Sequence, residues 1–417
     1  MSENSHPHRA DVLVLGAGPA ALLAAAACHR RGLDVRVIAP EPAAPWDKQL
    51  SAWEQELPGI PSTWVRGRWP GMRVAGTTAT TLAAPYLAVD VPTMQADLLE
   101  SLQGSLVAGH VEGLSHSDDG VAARLRPRLG APDVIGAAVV VDARGALPGR
   151  YWQSAVGLDV SLEAPWTRGP WLMDFRPAFS RQPRPSSAGA REGAMSPTFC
   201  YVLPFTERRV LFEETVLMGP ESEAVLPQLE ARLRARLAGY GVRVSEVHRV
   251  ERCRIPMDSV ARPVPPALRD RVVTFGAAAG FTHPATGYQL GLSWRRAEPL
   301  ADAIQSTVDG RAAPLSASVW PDEALAAHAL YRFGAGAVRS MDSASLVAFF
   351  DAFFGLTTED AVGYLARTLS TNDLRRAMWA LFRRASWRTR LELQRAAVRD
   401  PLGALRGVFD NLMEQAA

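Results

Sequence analysis

Residues 11–38 read DVLVLGAGPAALLAAAACHRRGLDVRVI. Residues 11–15 are a short, almost wholly apolar run, the mark of a strand buried on both faces. Gly16-Ala17-Gly18-Pro19-Ala20-Ala21 follows, then an alanine-rich stretch that predicts a helix through about residue 31. Gly32 ends that helix, and residues 34–38 predict a second strand. Strand, glycine turn, helix and strand in this order lift the pattern above a bare motif match. Gly16 allows a tight turn, Gly18 lets the backbone approach a pyrophosphate, and Ala21 stands where a small residue permits close packing. The helix N-terminus then offers free amides to phosphate. The acidic residue that usually closes the second strand would stand at position 39, which is alanine; Glu41, two residues on, is the candidate substitute for the ribose contact.

The chain has 417 residues, 47% of them hydrophobic, enough for two or three domains and a large core. A net charge of +2 argues against a nucleic-acid partner. Cys28, Cys200 and Cys253 have neither metal-ligand nor redox spacing, so no metal site is expected and a reducing cytoplasm is. The N-terminal ten residues are polar and lack an apolar stretch of signal type, and no window of ~18 consecutive apolar residues occurs.

In the middle of the chain, residues 201–215, YVLPFTERRVLFEET, predict a β-hairpin with its turn at 206–209, ending in Glu213 and Glu214. Neighbours on a strand point to opposite faces, so one glutamate can face a cavity and the other packing or solvent. A carboxyl beside Leu211 and Phe212 is partly desolvated, which raises its pKa and suits it to act as an acid. Asp174, in WLMDFR, is a second candidate acid for the cavity. Residues 181–191, rich in Pro, Ser, Gly and Ala, predict an exposed loop, and residues 224–237 an amphipathic helix.

Several separated segments resemble the lycopene cyclases, flavin-dependent enzymes of carotenoid biosynthesis. Pro197-Thr198-Phe199, Tyr201 to Phe205 and Phe212-Glu213-Glu214-Thr215 are similar to that family's PTF-x-Y-x-x-PF … FLEET; Trp53 and Glu56 match its W-x-x-E, although Gln49, Leu50 and Ser51 replace the preceding Asn-Tyr-Gly. Pro85-Tyr86 with Val89-Asp90, Cys253 to Met257, Gly276 to Tyr288 (GAAAGFTHPATGY) and Phe349 to Phe354 (FFDAFF) continue the match in family order. Residues 139–145, VVVDARG, resemble the element of glutathione-reductase-type flavoproteins that closes over the nucleotide side of FAD, bringing in Asp142 and Gly145.

The resemblance implies an α/β fold: a Rossmann-like FAD-binding domain of the glutathione-reductase or hydroxylase type, an antiparallel β-sheet substrate domain and a C-terminal helical region. The divisions expected are 1–160 and 246–310 for the discontinuous FAD domain, 161–245 for the substrate domain and 311–417 for the helical cap. It implies FAD, active in its reduced form with NAD(P)H as electron source, held by Gly16, Gly18, Ala21, Glu41, Asp142, Gly145, Gly276, Gly280 and Gly287. It implies acid-initiated cyclisation of lycopene or a similar polyene, with Glu213 as the acid or its main electrostatic partner, Glu214 supporting it and His283 near the flavin ring. Another prenyl cyclase, or an FAD monooxygenase, halogenase or prenyl reductase, is the alternative. Residues 377–399 combine Trp379, Trp387 and several leucines with many arginines, which predicts a basic helix on a membrane surface and a cytoplasmic, peripherally attached protein.

Overall fold

The computed structural model describes residues 9–117, 120–127, 134–176, 197–311 and 313–399; the expected 181–191 loop lies outside them. The chain opens with β1 (Ala10–Leu15), α1 (Pro19–His29) and β2 (Val35–Ala39). An excursion follows through β3 (Ser51–Trp53), β4 (Val65–Trp69), β5 (Met72–Ala75), β6 (Ala79–Leu82) and β7 (Tyr86–Val89). The chain returns by α2 (Val91–Ser101), β8 (Leu106–Ala108), the hairpin β9 (Val111–Ser117) and β10 (Gly120–Leu125), and β11 (Val134–Asp142). Then come β12 (Tyr151–Leu162), β13 (Trp171–Asp174), β14 (Thr198–Pro204), β15 (Arg209–Pro220), α3 (Val225–Gly239) and β16 (Val244–Pro256). Finally β17 (Val272–Thr274) and α4 (Leu290–Val308) lead into α5 (Leu315–Val319), α6 (Asp322–Arg339), α7 (Ser343–Phe354), α8 (Thr358–Ala366), α9 (Thr371–Arg384) and α10 (Trp387–Arg399).

Three sheets result. The first runs β8-β2-β1-β11-β10-β9, with β17 also on β11. Its β8, β2, β1, β11 and β17 pair in parallel, so the carboxyl ends of five strands open on one edge. Every residue of α1 from Ala21 to Cys28 is buried, because small alanines let it pack between this sheet and α4. Pro19 occupies its first turn, where no amide partner is lost. The second sheet runs β16-β12-β15-β14-β13-β5-β6, antiparallel except between β13 and β5. It therefore reaches beyond 161–245, taking strands from 72–82, 151–162 and 244–256. The twelve-residue β12 causes this, pairing with β15 on one side and β16 on the other. A small third sheet, β3-β7-β4, shares Ala52 and Val89 with the first sheet's core and Trp53 and Tyr86 with the second's.

The second sheet has two covered faces. Leu172, Phe199, Tyr201 and Leu217 meet Phe349, Phe350, Phe353 and Phe354 of α7 on one; each buried phenylalanine contributes about 2 kcal/mol. Asp351 of the same helix accepts from the Thr77 amide at 2.8 Å and the Thr77 hydroxyl at 2.7 Å, docking α7 on the β5–β6 turn. The opposite face packs Val160, Val202 and Phe212 against Leu233 and Leu237 of α3.

Several details differ from expectation. β15 does not stop at the two glutamates: Thr215 to Met218 keep the alternation going to Pro220, so both acids sit in mid-strand. The 311–321 linker holds the short α5. The basic segment 377–399 is two helices, because Ala385 leaves helical geometry and the Ser386 hydroxyl accepts from the Thr389 amide to start a new one.

Candidate active site

The glycines flagged in the sequence gather at the carboxyl edge of the parallel strands. The Gly16 amide donates to Ile38 O at 2.7 Å, the Ala143 amide to Leu15 O at 2.9 Å and the Phe275 amide to Asp142 O at 2.9 Å, tying three strand ends together. Gly16 has φ +104, and a Cβ there would lie 2.7 Å from Ala143 O, so only glycine fits. Gly18 is the N-cap of α1 and makes no side-chain cap, and nothing stands within 4 Å of where its Cβ would be. Open space at a helix N-terminus is where backbone amides can meet a phosphate. Close packing falls between Gly276 and Ala20, a Cβ on Gly276 coming within 2.4 Å of Ala20 Cβ, while Ala21 is wholly buried in the helix core. Glu41 is exposed, two residues past the end of β2. Asp142 spends its carboxylate on the Arg144 guanidinium at 2.7 and 2.9 Å, and Gly145 O accepts from Arg262 at 3.0 Å. Gly280, with φ +78, ends the turn that begins at Gly276.

A cavity of about 360 Å³ lies where this crevice meets the second sheet. Its walls come from the 48–51 loop, β12, β13, β14, β15 and β16, the 286–290 turn and Leu365 of α8. Leu50, Leu172, Phe199, Leu217, Ile255 and Leu290 make it mainly apolar. Gln289 Oε1 is buried without a hydrogen-bond partner among the described residues, an acceptor at the seam. Tyr201 and Tyr288 line the cavity, and both reach the buried Tyr86 hydroxyl, at 3.0 and 3.1 Å. Three tyrosines from three separate motifs thus form one chain of phenols.

Glu213 faces this cavity. Among the described residues its one hydrogen bond is from the Thr215 hydroxyl, at 2.9 Å. Burial, followed by the charge of Glu251, pushes its pKa up to about 8, so it holds its proton at neutral pH. Glu214 takes the other face. Arg236 of α3 binds it through Nε at 2.6 Å and Nη2 at 2.8 Å, and Thr198 donates to it as well. Asp174 shares that outer face, opposite Cys200, which is itself opposite Glu214. Its carboxylate binds Arg176 at 2.9 Å, so it is not the cavity's second acid. That acid is Glu251 of β16, which lines the cavity with Glu213.

Residues 11–391 match the family described as lycopene cyclase protein. The chain belongs to the lycopene cyclase family. It is 31% identical to a carotenoid cyclase of Deinococcus radiodurans, described as uncharacterized, over 96% of this chain and 97% of that one. It is 30% identical to the lycopene beta cyclase of Synechococcus elongatus, over 90% and 93% of the two chains. Among solved structures it resembles a flavin-dependent brominase at 14% identity, covering 98% of this chain and 99% of the other with a TM-score of 0.53. The fold is therefore that of the FAD-binding flavoproteins, and the chain is an enzyme.

Within the family's HP-x-TGY element, His283 does not line the cavity. Its Nδ1 accepts from the Ala285 amide at 3.1 Å, and Nε2 lies 3.2 Å from Tyr364 O, to which it donates. Its ring meets those of Tyr331 and Tyr364 edge-on, with centroids 4.8 and 5.6 Å away. Burial, then Arg367, drives its pKa well below the usual value, so it stays neutral. Both nitrogens are occupied by main chain; the residue clamps the turn to α8. The W-x-x-E match is also a framework feature, with Glu56 accepting from the Trp53 amide at 2.9 Å. Sequence reasoning missed Glu251 and the pairing of Glu214 with Arg236. Tyr86, Tyr201 and Tyr288 were each visible inside a motif, but their meeting was not. Glu251 carried one signal, its place two residues before Cys253 on the strand that returns to the nucleotide domain.

Proposed function

We propose that the protein closes the linear end groups of lycopene to β-ionone rings, giving γ- and β-carotene, with no net redox change. The observation that carries this reading is Glu213, a carboxylic acid kept protonated in an apolar, tyrosine-walled cavity. Glu213 gives its proton to the terminal alkene, leaving a tertiary cation. The neighbouring double bond attacks it to form the ring carbon–carbon bond. Loss of a ring proton restores neutrality, so substrate and product have equal mass. The faces of Tyr201 and Tyr288 attract positive charge, and the apolar wall keeps out water that would trap the cation.

FAD is supported by the open space at Gly18, the closed turn at Gly16, the 286–290 turn at the cavity and Gln289 Oε1, unpartnered among the described residues. Bound in reduced form, with NAD(P)H as the electron source, its electron-rich ring would stabilise cationic charge beside the substrate. The substrate is delivered from a membrane surface; no helix among the described residues is long and apolar enough to cross one.

The test is expression in a lycopene-accumulating host with chromatography and mass spectrometry of the pigments. Wild type should yield cyclised isomers of lycopene, and Glu213→Gln should lower their yield at least ~100-fold while flavin still co-purifies. Hydroxylated, halogenated or hydrogenated products, or normal turnover by Glu213→Gln, would defeat the reading.

A further inference from the structure

Glu251 is a second carboxyl in the cavity, and protonation of the alkene by Glu213 gives it no task. Its position is set by the sheet. Gly157 of β12 pairs with Glu213 of β15 on one side and with Glu251 of β16 on the other. Residues directly opposite each other in antiparallel strands share a face, so both glutamates rise from the same face, and both line the same cavity. The strand between them carries no side chain at that point. A Cβ on Gly157 would lie 3.4 Å from Glu251 Cβ and 3.7 Å from Glu213 Cβ. Any larger side chain there would stand between the two carboxyls.

Their surroundings are unequal. Glu251 accepts from the Gln49 amide at 2.9 Å and from the Arg249 guanidinium at 3.3 Å. Among the described residues Glu213 has only the Thr215 hydroxyl. Donors and a cation favour the ionised form of the first, and their scarcity favours the protonated form of the second.

Resting on the reading of Glu213 as the acid, we infer that Glu213 and Glu251 are one acid–base pair across Gly157, with Glu251 the base that receives the ring proton. The balance closes. The Glu213 O–H bond breaks as the new C–H bond forms, and the ring C–H bond breaks as its proton passes to the Glu251 carboxylate. Its electron pair becomes the ring double bond. Transfer of that proton from Glu251 back to Glu213 restores the starting state, and no oxidant or reductant is consumed. The electrostatics agree. Burial, then Glu251, raises Glu213; burial also raises Glu251, against the pull of Arg249 and the Gln49 amide. Two carboxyls in one desolvated site share a proton rather than both ionise. Among the described residues the other titratable groups around the pair are Lys48 and Asp47 from the loop, Cys253 and Arg254 on β16, and Tyr201 and Tyr288.

The test uses the flavin-loaded, full-length enzyme with lycopene in liposomes, comparing wild type, Glu251→Gln, Glu251→Asp and Glu213→Gln across pH. Wild type should show an acidic limb in kcat/KM, where Glu251 takes up a proton, and an alkaline limb, where Glu213 loses one. Glu251→Gln should retain flavin, turn over at least ~100-fold more slowly and lose the acidic limb. Glu251→Asp should recover part of the rate together with that limb, which a purely structural role would not produce. A normal rate and an unchanged pH profile in Glu251→Gln would overturn the pair. Should Glu251→Gln fail to hold flavin, Glu251→Asp carries the test, and a rate equal to wild type overturns the inference. If Glu213→Gln is inactive while Glu251→Gln is normal, the pair alone fails. If Glu213→Gln is active, the acid assignment itself fails.

Discussion

Glu213 and Glu214 are adjacent in sequence and have opposite environments. Strand alternation requires them to face apart, and that much is legible in the sequence. Which one faces the cavity is not, because it depends on α3 covering one face of the sheet and α7 the other. Glu214 is wholly enclosed, and its charge is matched by the bidentate Arg236. Burial alone would lower the Arg236 pKa, but the bonds to Glu214 outweigh it and hold that pKa above its usual value. Removing one member of such a pair leaves the other charge buried without compensation, at a cost of about 3–5 kcal/mol. Glu214→Ala should therefore lower the urea midpoint and the melting temperature markedly. Glu213→Gln, which removes an acidic proton from a cavity wall, should leave both nearly unchanged. A Glu214→Ala protein as stable as wild type would show that the pair contributes nothing.

The terminal helices act as elements rather than as single residues. Trp379 on α9 and Trp387 on α10 are 59% and 70% exposed, and Leu391 and Val398 are also exposed. Their helices carry Arg375, Arg376, Arg383, Arg384, Arg388 and Arg390. Indole rings and aliphatic side chains among arginines suit the interface of an anionic bilayer. Truncation after Arg376 would also strip Ala377 and Leu381 from the core, so substitution is the cleaner test. Anionic liposomes should raise wild-type turnover. In the Trp379→Ala/Trp387→Ala variant the fraction sedimenting with liposomes should fall severalfold, with folding and flavin content intact. Equal sedimentation of variant and wild type would refute the assignment. The arginine-rich composition was readable from sequence, but the break at Ala385–Ser386 was not. It depends on one serine cap within an otherwise continuous helical pattern.

Across the whole molecule, legibility divided between the two large sheets. The parallel sheet was readable because the turns after β1, β11 and β17 each carry a glycine at positive φ, at Gly16, Gly145 and Gly276. The antiparallel sheet was only partly readable, since β5 and β6 come from the early excursion and β16 follows α3, and strand pairing over such separations leaves no local mark. The two sheets meet at Gly287. Its φ is +77, and a Cβ there would stand 2.3 Å from Gln153 Oε1 and 3.1 Å from Ile255 Cδ1, both on the second sheet. The turn that reaches the cavity from the nucleotide domain can therefore approach only as glycine. Alanine there would incur about 1–2 kcal/mol of left-handed strain and push Gln153 aside. Gly287→Ala should thus lower thermal stability by a few degrees, reduce the flavin retained on purification and abolish pigment conversion. Gln153→Ala in the same chain clears the oxygen but leaves the backbone strain, so the double variant should regain part of the stability, with the coupling between the two substitutions read from their melting temperatures. Unchanged stability and turnover in Gly287→Ala would mean that the two sheets tolerate a wider seam than this contact allows.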